Sequence, residues 1–253
     1  MAINVVWFKR DLRLSDHAAL ELASRLPQKC LLLYIFEPAL LSNSHYRGRH
    51  WQFIAQSLRD LQQVLNASGR ELAVLEGNAV ALLNELDERL GIVNLLSYEE
   101  TGLDVTFQRD LAVAKLCDAK GIVWRQFQTN GIERGRHNRT GWNRSWHRIM
   151  TSPCHTVPVT RLNTVSLSSE PVFTALRSAK YQTWLTARSD LQQGGQTQAH
   201  QVLSSFLTER GWGYQKFISK PENSRVHCSR LSPYLAWGNL SMRQAYQALQ
   251  QQE

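Results

Sequence analysis

Five apolar runs of strand length, separated by segments with helical periodicity, occupy the first 130 residues and leave few architectures open. Ile3–Phe8, Cys30–Phe36, Leu72–Leu75, Ile92–Ser97 and Ile122–Phe127 are the runs. Strands that are apolar throughout, not alternating, need cover on both faces. Between them, Ser15-Asp16 predicts a cap for a helix to about Arg25. Gly48–Asn66 spaces Trp51, Ile54, Leu58, Leu61 and Leu65 on one helical face. Val80–Leu90 and Val105–Ala119 predict two more helices, the second stopped by Gly121. Strands joined through helices must run parallel, with right-handed crossovers. Residues 1–130 therefore predict an α/β domain: a doubly wound, Rossmann-like, five-stranded parallel sheet.

The pattern then changes twice. Residues 131–190 read as a basic loop followed by a long Ser-, Thr- and Pro-rich linker that travels over the surface of the first domain. Helical spacing returns after Gly194-Gly195, in Ala199, Val202, Leu203, Phe206 and Leu207, and Ser241 predicts the cap of a last helix. Residues 191–253 hold too little apolar material for a core of their own. The expectation is an all-α domain cut off near its start, with its last helix uncovered.

Apolar residues make up 43% of the 253 and charged residues 20%, as in soluble globular proteins. No apolar stretch approaches the roughly 18 residues of a membrane span. The N-terminus reads as a mature strand, so the expected location is cytoplasmic and the expected state a monomer. Cys30, Cys117, Cys154 and Cys228 lack metal-ligand spacing, which predicts reduced, mostly buried thiols and no metal site. The net charge of +8 favours a polyanionic partner, nucleic acid first. Residues 125–148 concentrate six arginines against one acid, Glu133, with Trp124, Trp142 and Trp146 interleaved. Arg134, Arg136 and Arg139 are candidates to grip DNA phosphates. The tryptophans fit base stacking as well as anchoring to the protein's own helical part.

Two motifs carry chemistry. Lys9-Arg10-Asp11-Leu12-Arg13 follows the first strand, where an open α/β sheet places its ligand crevice. It could hold an anion, or Asp11 could pair with Arg10 or Arg13. No G-x-G-x-x-G follows any strand, which argues against a dinucleotide fingerprint. Cys228-Ser229-Arg230-Leu231-Ser232-Pro233 would offer hydroxyls, a guanidinium and free backbone N–H groups to one anion at a helix start. An ordinary capped helix fits the same residues.

Read together, Val6-Trp-Phe-Lys-Arg-Asp-Leu-Arg-Leu-Ser-Asp-His17 and Ser229-Arg-Leu-Ser-Pro-Tyr-Leu235 resemble the DNA photolyase/cryptochrome family. The resemblance implies an FAD site begun by Tyr214, Cys228, Ser229, Arg230, Leu231 and Ser232, with Cys228 where the family commonly has Thr. It implies an antenna chromophore of folate or deazaflavin type at the strand ends, near Arg10, Phe36, Glu37 and Glu100. Glu99 and Glu100 also fit solvated acids at a helix approach. Val105 and Thr106 stand where folate-binding members carry Asn-Glu, which speaks against a folate.

The activity implied is light-driven, FAD-dependent repair of cyclobutane pyrimidine dimers in DNA, a lyase reaction. No residue here matches the family's dimer pocket or flavin-reducing tryptophans, so the catalytic residues stay unassigned. The expectation is a chain inactive by itself, completed by a C-terminal half. The alternatives are a cryptochrome-type blue-light photoreceptor and a stand-alone α/β ligand-binding or interaction module.

Overall fold

The computed structural model describes residues 2–169, 171–175, 178, 180–185 and 190–252. Its centre is a five-stranded parallel sheet, β1 (Ile3–Phe8), β2 (Lys29–Phe36), β3 (Leu72–Glu76), β4 (Ile92–Tyr98) and β5 (Val123–Phe127), in the order β3-β2-β1-β4-β5. Successive side chains alternate between two cores, as strand geometry requires. Val6, Phe8, Leu32, Tyr34, Leu96 and Tyr98 enter one. Ile3, Val5, Trp7, Leu31, Leu33 and Leu95 enter the other. The all-apolar runs thus reflect helices on both sides. β5 departs from that expectation: it is an edge strand, and Val123, Arg125 and Gln126 are exposed.

Helices α1 (Ala18–Arg25) and α2 (Gly48–Asn66) supply the first core, α3 (Ala79–Leu90) and α4 (Asp104–Lys120) the second. The cap of α1 is His17 rather than Ser15 or Asp16: its Nδ1 accepts the Leu20 N–H at 3.2 Å. Asp16 has φ of 49° and turns its carboxylate elsewhere.

The segment read as a surface linker is more deeply built in than its composition implied. Asn163 and Val165 bond both backbone groups of Cys30, at 2.7 and 3.0 Å, extending the start of β2. Leu162, Val165, Val172, Phe173 and Tyr181 are buried. Residues 170, 176, 177, 179 and 186–189 of that segment, and Glu253 after the last helix, lie outside the described residues.

The chain continues through α5 (Trp142–Thr151), α6 (Gln196–Thr208), α7 (Pro221–His227), α8 (Ser232–Ala236) and α9 (Met242–Gln250). The last four have no separate core: Ala199, Leu203, Leu231, Tyr234, Trp237 and Leu240 join the first core of the sheet. α9 is capped by Ser241, as expected, through a reciprocal box with Gln244. It is not uncovered. Tyr246 meets Trp146 of α5 edge-on at 5.4 Å, and Gln247 donates to the carbonyls of Met150 and Ser152, both at 2.8 Å.

Two glycines permit the docking. A Cβ on Gly194 would stand 2.0 Å from the Phe53 carbonyl oxygen, so α6 reaches α2 through bare backbone. Gly238, at φ +67°, would place a Cβ 2.2 Å from the Arg10 carbonyl oxygen and 2.7 Å from the Asp11 Cα. Both neighbours are backbone and cannot swing aside. Gly238→Ala is expected to cost about 3 kcal/mol, from the left-handed backbone and the overlap together. Urea unfolding measures it; a loss below about 0.5 kcal/mol, the range of neutral surface changes, would show that the loop yields.

Candidate functional site

The order β3-β2-β1-β4-β5 reverses direction at β1, and the loops leaving β1, β2 and β4 meet there. Lys9 and Arg10 follow β1, Glu37 follows β2, and Glu100 follows β4; Arg109 and Asp110 come from α4. These groups form one buried network. Arg109 bonds Glu37 and Glu100 and lies 2.9 Å from Asp110. Lys9 Nζ is 3.4 Å from Asp110, Arg10 is 3.3 Å from Glu100, and Arg134 is 3.1 Å from Asp110. Four cations (Lys9, Arg10, Arg109, Arg134) face three anions (Glu37, Glu100, Asp110), one positive charge in excess.

Burial works against the charges of Lys9, Glu37 and Arg109. It pulls the Lys9 ammonium below its ordinary value, with Asp110 and Glu100 opposing. It pushes the Glu37 carboxyl up against the pull of Arg109. For Arg109 burial also acts to lower, but Glu100, Glu37 and Asp110 outweigh it and hold the guanidinium cationic. Arg10 is the plug on the outer side. Its guanidinium lies 5.1 Å over the Trp237 ring and donates to the Tyr46 hydroxyl at 2.6 Å, while its buried Nε makes no hydrogen bond.

The structure thus gathers three of the four antenna candidates, Arg10, Glu37 and Glu100, around one small cavity. Phe36 instead belongs to the first core, with ring contacts to Tyr34, Trp51, Tyr181 and Trp184. Glu100 is no solvated acid; it is buried and doubly paired. Sequence reasoning missed Arg109 and Asp110. Their signal was a helix that does not read as amphipathic: Phe107 and Leu111 of α4 are exposed, whereas Thr106 and Asp110 are buried.

Asp11 pairs with neither Arg10 nor Arg13. One carboxylate oxygen accepts the Lys9 N–H at 2.7 Å and the other lies 2.8 Å from His17 Nε2. Because His17 Nδ1 is the acceptor capping α1, Nε2 carries the proton and the ring is neutral. Burial lowers the His17 pKa, with Asp11 opposing. Arg13 donates to the carbonyls of Asp16 and Gly238 at 3.0–3.1 Å.

The helical candidates occupy a second corner. Arg210 donates to the carbonyls of Val202, Cys228 and Ser229 at 2.8, 2.5 and 3.3 Å, and to the Ser205 hydroxyl at 3.1 Å. It also sits over Phe206, which meets Tyr214 edge-on at 5.8 Å. Arg210, a residue the sequence did not single out, thus links the carbonyls of Cys228 and Ser229 to Phe206 and, through that ring, to Tyr214. Leu231 is core, as its type implies. Arg230 has φ of 57°. Helix α8, of five residues, is too short for a strong dipole, so anion recognition would rest on side chains. The donors of Tyr214, Arg230 and Ser232 are unspent among the described residues, and the Ser229 hydroxyl accepts only a long 3.5 Å contact from Leu231 N–H. That donor set fits a phosphate-bearing cofactor.

In the basic segment, Arg134 is committed to the strand-end network and to the Glu100 carbonyl. Arg136 staples its own loop through Glu133 and the carbonyls of Asn138 and Thr140. Arg139 is exposed and spends no side-chain donor among the described residues. Trp142 stacks on Trp146 at 6.0 Å, Trp146 packs on Tyr246, and Trp124 donates to Ser97 at 3.1 Å, all anchoring contacts. Burial pushes the Cys30 thiol to about 12 and Cys117 to about 11, so both are inert. Cys154 and Cys228 are half-buried, against the expectation of mostly buried thiols, and all four are free. Among the described residues no His/Cys/Asp/Glu group is arranged for a metal, and no helix is long and apolar enough to cross a membrane.

The DNA photolyase family profile matches residues 4–135, slightly more than half of the chain, and the chain belongs to the photolyase/cryptochrome family. Cryptochrome-2 of Gallus gallus is 26% identical across 97% of this chain and 46% of its own length. The deoxyribodipyrimidine photo-lyase of Vibrio cholerae is 28% identical across 96% of this chain and 54% of its own. An archaeal photolyase from Sulfolobus tokodaii, solved with two FAD molecules, superposes with a TM-score of 0.75 at 22% identity, over 99% of this chain and 55% of that one. The chain spans about half the length of these relatives.

The neutral His17 gives stability a pH dependence of fixed sign. Unfolded His17 titrates near 6.5, whereas the folded ring resists the proton. Its contribution is fully present above 6.5 and is lost as pH falls below that value. Stability should rise from pH 5 to 7.5 with a slope of at most about 1.4 kcal/mol per pH unit from this group. His17→Asn, which can still cap α1, should flatten the profile; His50 and His200, shifted the same way, keep some slope. Denaturant midpoints across that range check it, and an unchanged slope in the variant would sink the assignment.

Proposed function

We propose that this chain is the sheet-bearing part of a light-driven flavoprotein of the deoxyribodipyrimidine photolyase type, acting on cyclobutane pyrimidine dimers in DNA. The observation that carries the reading is the corner at 228–232. Residues of the family's flavin motif, Ser229, Arg230 and Ser232, keep hydroxyl and guanidinium donors unspent among the described residues, while Arg210 holds the carbonyls of Cys228 and Ser229 and Gln192 that of Arg230. Ser229 and Ser232 would hold the phosphate and ribityl part of FAD, with Arg230 offsetting its charge. FAD, when bound, would supply the light-driven electron chemistry that no side chain of this chain provides. The protein's part is to bind, orient and keep water away. Arg139, Arg144 and Arg148, exposed on and before α5, supply sequence-independent, salt-sensitive attraction to the DNA backbone.

A second reading has a specific support. The chicken cryptochrome and the Vibrio photolyase match this chain almost equally, at 26% and 28% over nearly all of it. A blue-light photoreceptor therefore stands beside the repair enzyme.

The two are separable by experiment. Reconstituted with FAD, the protein should show flavin absorption, and Ser229→Ala with Ser232→Ala should weaken binding at least tenfold, about 1.4 kcal/mol. This chain alone should leave ultraviolet-damaged DNA unrepaired under blue light, whereas the protein completed by a C-terminal half should remove dimers. FAD retention by that completed protein without loss of dimers favours the photoreceptor. A colourless, folded protein that takes up no FAD defeats both and favours a plain α/β binding module.

A further inference from the structure

We propose that the strand-end cleft of the α/β domain is closed by the chain's own side chains and works as a clamp on the helical segment, with no room for an antenna chromophore. The cavity among Arg10, Glu37, Tyr46, Glu100, Arg109 and Trp237 measures about 20 Å³. That holds about one water; pockets for drug-sized ligands and cofactors run to roughly 300–1,000 Å³. The residues do not fit the group that the family resemblance implies for this place.

What fills the space is specific. Arg10 lies 5.1 Å over Trp237 and donates to Tyr46 at 2.6 Å. The Tyr46 ring sits 5.8 Å from Trp237 and 5.0 Å from Trp51, which stacks on Trp184 at 5.8 Å. The floor is the Lys9–Glu37–Glu100–Arg109–Asp110 network, whose carboxylates are already paired. A planar ring entering here must displace Trp237 or Arg10, and neither is a free rotor.

Trp237 is held by its backbone as well as its ring: its carbonyl accepts the Leu12 N–H at 3.1 Å. Next to it Gly238 packs bare backbone on Arg10 and Asp11, and its carbonyl accepts from Arg13 at 3.1 Å. Asn239 donates to the Leu12 carbonyl at 2.9 Å. The loop after β1, which in open sheets lines the ligand crevice, gives both backbone groups of Leu12 and an Arg13 donor to the turn 237–239 instead. Opening the cleft and releasing the helical segment are one event.

The test uses the purified chain in equilibrium dialysis against two probes, flavin mononucleotide and methenyltetrahydrofolate. Hydrogen exchange is followed at residues 9–13, 36–41, 99–101 and 237–240. Neither probe should alter exchange at these residues, and a probe that binds without altering them leaves the clamp standing. Saturable binding of either probe with altered exchange there overturns the proposal. As a second measurement, Trp237→Ala should speed exchange of the Leu12 amide at least tenfold, and Trp237→Phe should restore most of the protection; unchanged exchange in Trp237→Ala overturns the clamp. The proposal concerns the cleft between the strand ends and the turn 237–239, so it can fail while FAD binding at 228–232 holds, and the reverse.

Discussion

The buried carboxylate of Asp16 is the contact on which the arrangement of sheet and helices depends. It follows β1 in a left-handed turn and accepts bonds from the Ser241 hydroxyl at 2.6 Å, the His155 N–H at 2.9 Å and both Nε and Nη2 of Arg243. Burial alone would raise its pKa, but Arg243, Ser241 and His155 outweigh that and hold it below the usual carboxylate range. One side chain thus ties the loop after β1, the segment at His155 and the cap of α9. Desolvating a carboxylate is costly, and removing a partner from such a pair is costlier still. Its value is therefore registration: three stretches far apart in sequence must meet at one anion.

The same logic runs along the whole loop from Lys9 to His17. Lys9 turns to Asp110, Arg10 to Trp237, Asp11 to His17, Arg13 to Gly238 and Asp16 to Arg243. A stretch that reads as a string of free charges holds almost none. Its charge density answers to burial, because each ionic group taken out of water needs a partner within hydrogen-bond reach.

Much of the architecture was legible. Apolar runs of strand length located all five strands to within a residue or two; β1 to β4 have no polar face to blur the pattern, whereas the edge strand β5 was found in spite of its exposed Arg125 and Gln126. Ser241 was legible as a cap because hydroxyl caps act locally. His17 was not, because a histidine caps only when its tautomer is held from the other side, here by Asp11. The linker's burial was hidden by its composition: a Ser- and Thr-rich strand partner bonds through backbone, which sequence does not display. The cover on α9 was missed because it comes from Trp146 and Tyr246, separated by a hundred residues. At the candidate site, Ser229, Arg230 and Ser232 stood out by motif, whereas Arg210 did not. Its role lies in carbonyls that any residues at 202, 228 and 229 would offer.

The strand ends show why a family motif and a family ligand can part company. The carboxyl ends of parallel strands collect loops at a switch point, and loops there can satisfy their polar groups in two ways. They can leave donors open toward a crevice, or they can close on another part of the chain. Both use the same backbone N–H groups and the same guanidinium. In this protein Leu12 N–H, Arg13 and Arg10 are given to Trp237 and its neighbours, so the residues that mark the site in sequence are those that shut it. At 228–232 the opposite holds: the carbonyls of Cys228 and Ser229 are taken by Arg210 while hydroxyls and a guanidinium stay unspent among the described residues. A motif keeps its capacity to bind only where its donors are not consumed by packing, and among the described residues that criterion sets the helical corner apart from the strand ends.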